Sequence, residues 1–486
     1  VDASAPAFWE RFEGMAVRLE GPLIVVDQYA AGRFGEVQLA AGGRPPAATQ
    51  QAPPGEAAVA WHAADERRLV LLDDGSASVE PDPWPYLLTD EGWPLRLGDR
   101  VPSLEGVLDF AYGRFRIQPT ARPRLQAASF APPPPGPSGA LRIVAWNVAN
   151  LFNGDGRGGG FPTRGAASPT EYARQLAKIA ATLAALGADV LALVEVENDG
   201  TGEGSTLADL AAAVHALAPH LDYAVVDPGA SLGGHPIAVA LLHRADSIAA
   251  AGPPAVLDEH ADPGFDATRN RPSLAQTFRH RSSGARLTVV VNHLKSKGSS
   301  CAAAGDPDTG DGQGDCNETR RLAARALADW IARDPTASGG APVLIVGDLN
   351  AYPLEDPLAE LAAAGFVDLI ARFDSPEAYS FVFDGRAGRL DHALASPSLL
   401  PWVLGAAVWN VNTDESPALG CEEHNPPGLY RADPLRASDH DPVVVALRPV
   451  PEPDPRALAC AALLALQWLR RRSGRRLERP PPRSPD

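Results

Sequence analysis

The stretch ASFAPPPPGPSGA, residues 128–140, divides the chain. Proline has no backbone N–H and a fixed φ, so the run Pro132–Pro135 can continue neither a helix nor the interior of a sheet. It marks a linker, taken as residues 126–140, between two regions with different patterns. Residues 1–125 carry short β-type runs, among them MAVRLEGPLIVVDQYA, GEVQLAA and RRLVLLDD, separated by turn residues. That spacing predicts a small all-β barrel or sandwich. After the linker, helical segments such as PTEYARQLAKIAATLAALG alternate with apolar runs such as DVLALVEV, RLTVVVNHL and PVLIVGDLN. The alternation predicts an α/β domain over residues 141–448. Ser168, followed by Pro169 and Glu171, predicts a helix start that Gly187 ends, and Asn317 is expected to cap the helix carrying Arg320 and Arg321.

The apolar runs of this second region deliver polar residues at their ends. LRIVAWN ends on Asn147, and DVLALVEVEN brings Glu195 with Glu197 and Asn198 beyond it. RLTVVVNHLKSKG brings Asn292, His293 and Lys295, and PVLIVGDLN brings Asp348 and Asn350. AGRLDHALAS supplies Asp391, and RASDHDPVVVAL places Asp439 and His440 just before a strand. Any one of these fits a turn or a cap. Residues two apart on an extended chain point the same way, so Asp348 and Asn350 can converge on one atom. Carboxylates, amides and imidazoles gathered in one α/β domain suit phosphoester hydrolysis. Hard cations take oxygen ligands, a carboxylate can deprotonate water, and an imidazolium can neutralise developing charge. A zinc site is disfavoured, because no HExxH motif or clustered His pair is present.

The 486 residues suffice for two or three domains, and 45% hydrophobic with 21% charged residues is a globular composition. A formal net charge of −17 argues against non-specific nucleic-acid binding by a generally basic surface, though not against a local basic groove or bridging metal ions. Cys301 and Cys316 flank the Gly/Asp loop CAAAGDPDTGDGQGDC, where a disulfide is expected in preference to metal ligation. A disulfide implies an oxidising compartment. Cys421 and Cys460 are not paired by this reading. Asp306, Asp308, Asp311 and Asp315 have the spacing of a structural Ca²⁺ loop but lack the closing glutamate. The opening VDASAPAFWE has no apolar signal run and is expected to be a trimmed start.

The quoted strands, in their order, resemble the endonuclease/exonuclease/phosphatase superfamily with its deoxyribonuclease I-like fold. RGAASPTEYARQLAKI, LVEVEN, RNRPSLAQTF, VNHLKSKG, GDGQGDCNETR, GDLNAY and ASDHDPV resemble, more narrowly, the ExeM/NucH-type extracellular nucleases over residues 140–447. The resemblance implies a four-layered α/β sandwich behind an N-terminal OB-like β domain. It implies Mg²⁺ or Mn²⁺ on Asn147, Glu195 and Asp439, with Asp348 acting on the attacking water and Asn350 holding the phosphate or Asp348. His440 would stabilise transition-state charge, with Asp391 fixing its tautomer, and His293 would be the second imidazole. Asn292, Arg269, Arg271, Lys295 and Lys297 would be substrate or phosphate contacts. In GGHPIAVALLH, His235 replaces an acidic residue that the resemblance expects to pair with His293 or the phosphate site, and His243 replaces a tyrosine.

The tail VPEPDPRALACAALLALQWLRRRSGRR resembles the PEP-CTERM sorting signal of Gram-negative bacteria. It departs from that signal at Gln467 and in its short apolar run, which leaves an amphipathic terminal helix as the other reading. The sorting reading implies export to the cell surface or medium, a C-terminal tail over residues 449–486, and a processing enzyme as partner. The expected function is a secreted metal-dependent nuclease for DNA, and RNA as well, of little sequence specificity, with nucleic acid its substrate and no stable protein partner implied. A phosphomonoesterase, or a lipid or sugar phosphodiesterase of the same fold, is the alternative. A binding protein with a decayed site is the non-enzymatic one.

Overall fold

The computed structural model describes residues 6–130, 132–134, 136–154, 161, 164–229 and 232–450. From residue 451 onwards the expected sorting tail, with Cys460, lies outside the described residues.

Past the linker the chain forms two facing sheets. The first has the strand order Val403–Val408, Val443–Leu447, Leu141–Leu151, Val190–Glu197, Ile237–Arg244, Tyr223–Val225. The second has the order Ile248–Ala250, Arg271–His280, Arg286–His293, Val343–Asp348, Asp391–Ala395, Val367–Asp368. Each sheet contains one parallel neighbour pair, Leu141–Leu151 with Val190–Glu197 and Arg286–His293 with Val343–Asp348. Parallel neighbours need a crossover, and the helices Pro169–Leu186 and Asn317–Ala332 supply it.

These strands are apolar on both sides because both of their faces are covered. Ile143, Ala145, Ala192 and Val194 point between the sheets to meet Val289, Val291, Leu344 and Val346. Their neighbours Val144, Trp146, Leu191 and Leu193 point the other way, under the helices Pro169–Leu186 and Thr206–Leu217. Val290 and Ile345 pack under Asn317–Ala332 and Asp356–Ala363. The result is the four-layered sandwich, helix on sheet on sheet on helix.

The helix ends follow from local chemistry. Ser168 Oγ accepts from Glu171 N at 3.2 Å as the N-cap, and Glu171 Oε2 reaches back to accept from Ala167 N, one residue before the cap, at 2.7 Å. Gly187 takes φ 55° and donates to Leu183 O, as a left-handed C-cap does. The cap expected of Asn317 is made instead by Asp306, whose carboxylate accepts from Glu318 N at 3.1 Å and Thr319 N at 2.8 Å. Asn317 itself is helical and donates its amide to Asp356 at 2.7 Å.

The N-terminal strands Ala16–Asp27, Val37–Ala41, Leu69–Leu72, Arg100–Ala111 and Arg114–Pro119 close into a barrel around Val25, Leu39, Leu72, Leu104 and Ile117. The region is not built of strands alone. Between the second and third strands stands a helix, Glu56–Glu66, whose sequence EAAVAWHAADE is rich in the best helix former, alanine.

The barrel is fastened to the sandwich by charge pairs with little access to water. Arg44 meets Asp414 at 2.7 Å, and Arg96 meets Glu415 at 2.7 Å with side chains 6% and 2% exposed. The linker is pinned alongside: Ser129 O accepts from Arg96 and Pro134 O from Arg142, each at 3.0 Å. Removing one partner of a buried pair leaves the other charge uncompensated, at a cost of about 3–5 kcal/mol. Arg96→Ala is therefore expected to destabilise the protein by about 3 kcal/mol or more in denaturant unfolding. A loss below about 1 kcal/mol, the value of a surface pair, would show that the docking does not depend on this contact.

Candidate active site

The polar strand ends converge because of register. On the second sheet His293 pairs across from Asp348, and Asp348 across from Asp391. Asp391 opens its strand rather than closing it, but that strand runs antiparallel, so its carboxylate reaches the same edge. Gly347 makes the row fit: it has φ 118°, and a Cβ there would stand 2.2 Å from Asn292 O. On the first sheet the ladder between Val190–Glu197 and Ile237–Arg244 shifts register between Val194 and Val196. Glu195 is the residue inside that bulge, with φ 63°, and the bulge turns its side chain towards the second sheet.

One amide spans the gap between the sheets. Asn147 Nδ2 donates to Glu195 Oε1 and to Asp348 Oδ2, each at 3.2 Å. His293 Nε2 lies 3.7 Å from both of those oxygens. Asn350, with φ 49°, gives its N–H to Asp348 Oδ1 at 2.8 Å, while its side chain donates to Leu294 O. His440 Nδ1 is 2.7 Å from Asp391 Oδ2, and Phe381 stacks on the imidazole at 4.6 Å. Asp439 is exposed at the rim of the same cleft, which encloses about 760 Å³. Asp348, Asp391 and His440 are also close enough together to hold a metal ion.

Burial and mutual repulsion tune these groups. Burial, and then Asp391, push the Asp348 carboxyl up to about 7. Burial and then Asp439 raise that of Glu195. His440 would be lowered by its burial, but Asp391, Asp439 and Asp348 carry it well above the ordinary histidine value. His293 is the opposite case, held well below by burial and then by Arg271. Its Nδ1 is buried with no partner among the described residues. His235, in place of the expected acid, does not supply one, and burial lowers its own pKa.

The remaining expected contacts are placed unevenly. Arg271 pairs across from His293 and donates to Leu294 O at 3.0 Å, with its Nε buried and unpartnered. Arg269 is held by Asp266. Asn292 is a correction: it is fully buried, and its amide donates to Val290 O and Val346 O, so it ties strands together and does not reach a substrate. Lys295 turns to Ser296 O and Ser299. Lys297 reaches the cleft wall, but its ammonium sits 2.6 Å from both oxygens of the buried Glu355. Cys301 and Cys316 are bridged, and Cys421 is free. In the acidic loop, Asp306 caps a helix, Asp308 and Asp311 accept from Gly310 and Gln313 within their own turns, and Asp315 accepts from Ser300.

Sequence reasoning missed the supports of this site. Ser380 Oγ donates to Asp391 Oδ2 at 2.7 Å. Asp441, fully buried, accepts from the backbone of Val411 and Asn412, and Asn412 donates to His440 O. Asp441 stood in plain view in ASDHDPV, whereas Ser380 and Asn412 carried no local signal.

A cluster of carboxylates, an amide and imidazoles thus stands at the edges of two facing sheets. The Endonuclease/Exonuclease/phosphatase family matches residues 144–440, more than half of the chain, and the protein belongs to that family. Its members are hydrolases acting on phosphoester bonds. Residues 2–129 match a family described as a domain of unknown function, DUF8508. No curated protein matches the chain. Similar solved structures include a Bacteroides vulgatus endonuclease/exonuclease/phosphatase, 16% identical, covering 64% of this chain and 99% of its own, with TM-score 0.42. The mannosyl-6-phosphatase Bt3783 of Bacteroides thetaiotaomicron is 18% identical, covering 63% of this chain and 99% of its own, with TM-score 0.42. D. rerio TDP2, complexed with single strand DNA product, is 16% identical, covering 64% of this chain and 100% of its own, with TM-score 0.38.

The Asp391–His440 contact has a readable consequence. If Asp348 acts as a base and His440 as a cation, kcat/KM for a phosphate ester rises through the Asp348 pKa and falls through that of His440. Asp391→Asn removes the negative charge that raises both groups. Both limbs of the pH profile are expected to move to lower pH, with activity at neutral pH reduced. A profile with unmoved limbs would show that Asp391 does not set the state of either group.

Proposed function

We propose that this protein is a metal-dependent phosphodiesterase that hydrolyses nucleic acid, DNA and also RNA, with little sequence specificity. The observation that carries the reading is the convergence of Glu195, Asn147, Asp348 and the Asp391–His440 pair at one cleft. The donor set fits a hard divalent cation such as Mg²⁺ or Mn²⁺. Glu195, Asp348 and Asp439 are carboxylates, Asn147 is an amide, and their mutual repulsion is what a cation relieves. Glu195, Asn147 and Asp439 would hold it, and a bound cation supplies charge neutralisation for the phosphate.

The chain's own groups do the rest. Asp348, with a pKa near neutrality and its orientation fixed by Asn350 N–H, accepts a proton from the attacking water. The water oxygen bonds to phosphorus as the ester oxygen leaves. The His440 imidazolium, oriented by Asp391, neutralises charge building on the phosphoryl oxygens. Arg271, whose charge acts on Glu195 and Asp348 and whose Nε has no partner among the described residues, would add positive charge behind the phosphate. The motif resemblance to ExeM/NucH-type nucleases supports nucleic acid as substrate and an OB-like character for the barrel. The Cys301–Cys316 bridge supports an exported protein, at the cell surface or outside it.

The test is incubation of the purified chain with supercoiled plasmid and a single-stranded oligonucleotide, with Mg²⁺ or Mn²⁺ against excess EDTA, beside Asp348→Ala. Metal-dependent cleavage reduced by about 10²–10⁴-fold in the variant is expected, the range of a lost general base. Cleavage that survives EDTA or Asp348→Ala would contradict the reading. Hydrolysis of phosphomonoesters alone would transfer the site to the other substrate class.

A further inference from the structure

The catalytic cleft is not made by the sandwich alone. One wall comes from the barrel: Ala47, Ala48 and Thr49, and Ala58, Val59 and His62 of the Glu56–Glu66 helix. This wall is fixed to both neighbouring rims. Gly55 N donates to Asp311 O of the disulfide loop at 2.8 Å, and a Cβ on Gly312 would stand 3.1 Å from Thr49 and 3.2 Å from Ala58. Ala47 N donates to Ala387 O at 2.7 Å, and Ala387 N donates to Pro45 O at 2.9 Å. Thr49 Oγ1 donates to the buried Glu355 at 2.6 Å, the same carboxylate that holds Lys297. Opposite, the hairpin Phe381–Phe383 to Arg386–Gly388 offers Phe383, 69% exposed, at the mouth.

His62 also lines a second groove, of about 530 Å³, on the barrel. A row of rings floors it. Trp9 and Phe115 have centroids 6.4 Å apart, and Phe115 and Phe110 4.7 Å. Phe110 is 44% exposed, and Arg67 and Arg114 stand at the edge. His62 thus lines both grooves, and the Arg386–Glu66 ion pair joins a lining residue of one to a lining residue of the other.

We propose that the barrel selects single-stranded nucleic acid, placing the scissile phosphate over Asp348 and flanking bases on the Trp9–Phe115–Phe110 row. The proposal rests on the nucleic-acid reading above and deepens it. One physical argument carries it, resting on the barrel's supplying both a wall of the cleft and the row of rings. Unpaired bases offer π faces that aromatic rings and arginines hold without regard to sequence, and paired, stacked bases do not.

The experiment uses the full chain with Mg²⁺ and three substrates. They are a single strand of about 15 nucleotides, the same sequence closed at both ends as a fully paired dumbbell, and bis(p-nitrophenyl) phosphate. The single strand is expected to be cut at least about tenfold faster than the dumbbell. Phe110→Ala, a change at an exposed ring, is expected to lower the ratio of kcat/KM for the strand to that for the small diester about fivefold or more, through KM. Equal cutting of strand and dumbbell, or an unchanged ratio in Phe110→Ala, overturns the proposal while leaving the nuclease reading standing. Turnover of the small diester with no nucleic acid cut overturns both.

Discussion

One side-chain amide joins the two halves of this site. Asn147 lies on the first sheet, yet its Nδ2 donates both to Glu195 of that sheet and to Asp348 of the facing one. The two carboxylates would repel each other in a region with little water. An amide that donates to both lets them share a cleft without neutralising either. Its own strand is held in place from behind, where Ser438 Oγ donates to Asn147 O and Trp146 Nε1 to His440 O. The loop that presents His440 is thus tied to the strand that presents Asn147. The positions of metal-shell and imidazole candidates are consequences of one local arrangement.

The outer parts of the cleft depend on a second buried group. Glu355 is fully buried, and Lys297, Thr49 and the backbone of Leu358 and Ala359 lie around it. The three segments it gathers are the strand-end loop after His293, the barrel segment and the start of the Asp356–Ala363 helix. A carboxylate in that position makes the barrel part of the catalytic architecture and not an appendage. The disulfide loop belongs to the same assembly, since Gln313 and Asn317 both donate to Asp356.

The residues gathered at the candidate site were legible in the sequence for a simple reason. Aliphatic strands that stop on Asn, Asp, Glu and His announce their own ends, and in a two-sheet sandwich those ends must meet at an edge. What was not legible depends on pairing across long separations. The bulge at Glu195 arises from the partner strand's register, and nothing in LVEVEN announces it. Lys297 reads as a free cation until Glu355 is brought to it, and Asn292 reads as a site residue until its two strands close over it. Asn317 had the right chemistry for a cap, but the loop delivered Asp306 there first. The Glu56–Glu66 helix lies between the β-type runs GEVQLAA and RRLVLLDD, whose pattern masks it, although its alanines favour a helix.

The central claim is that Glu195, Asn147 and Asp439 form the seat of a divalent cation beside Asp348. Crystals soaked in Mn²⁺ and measured at the manganese edge test it most directly. The account predicts one strong anomalous peak in contact with Glu195, absent in Glu195→Gln. A cleft without manganese, or a peak confined to the surface group Asp258, Glu259 and His260, would contradict it.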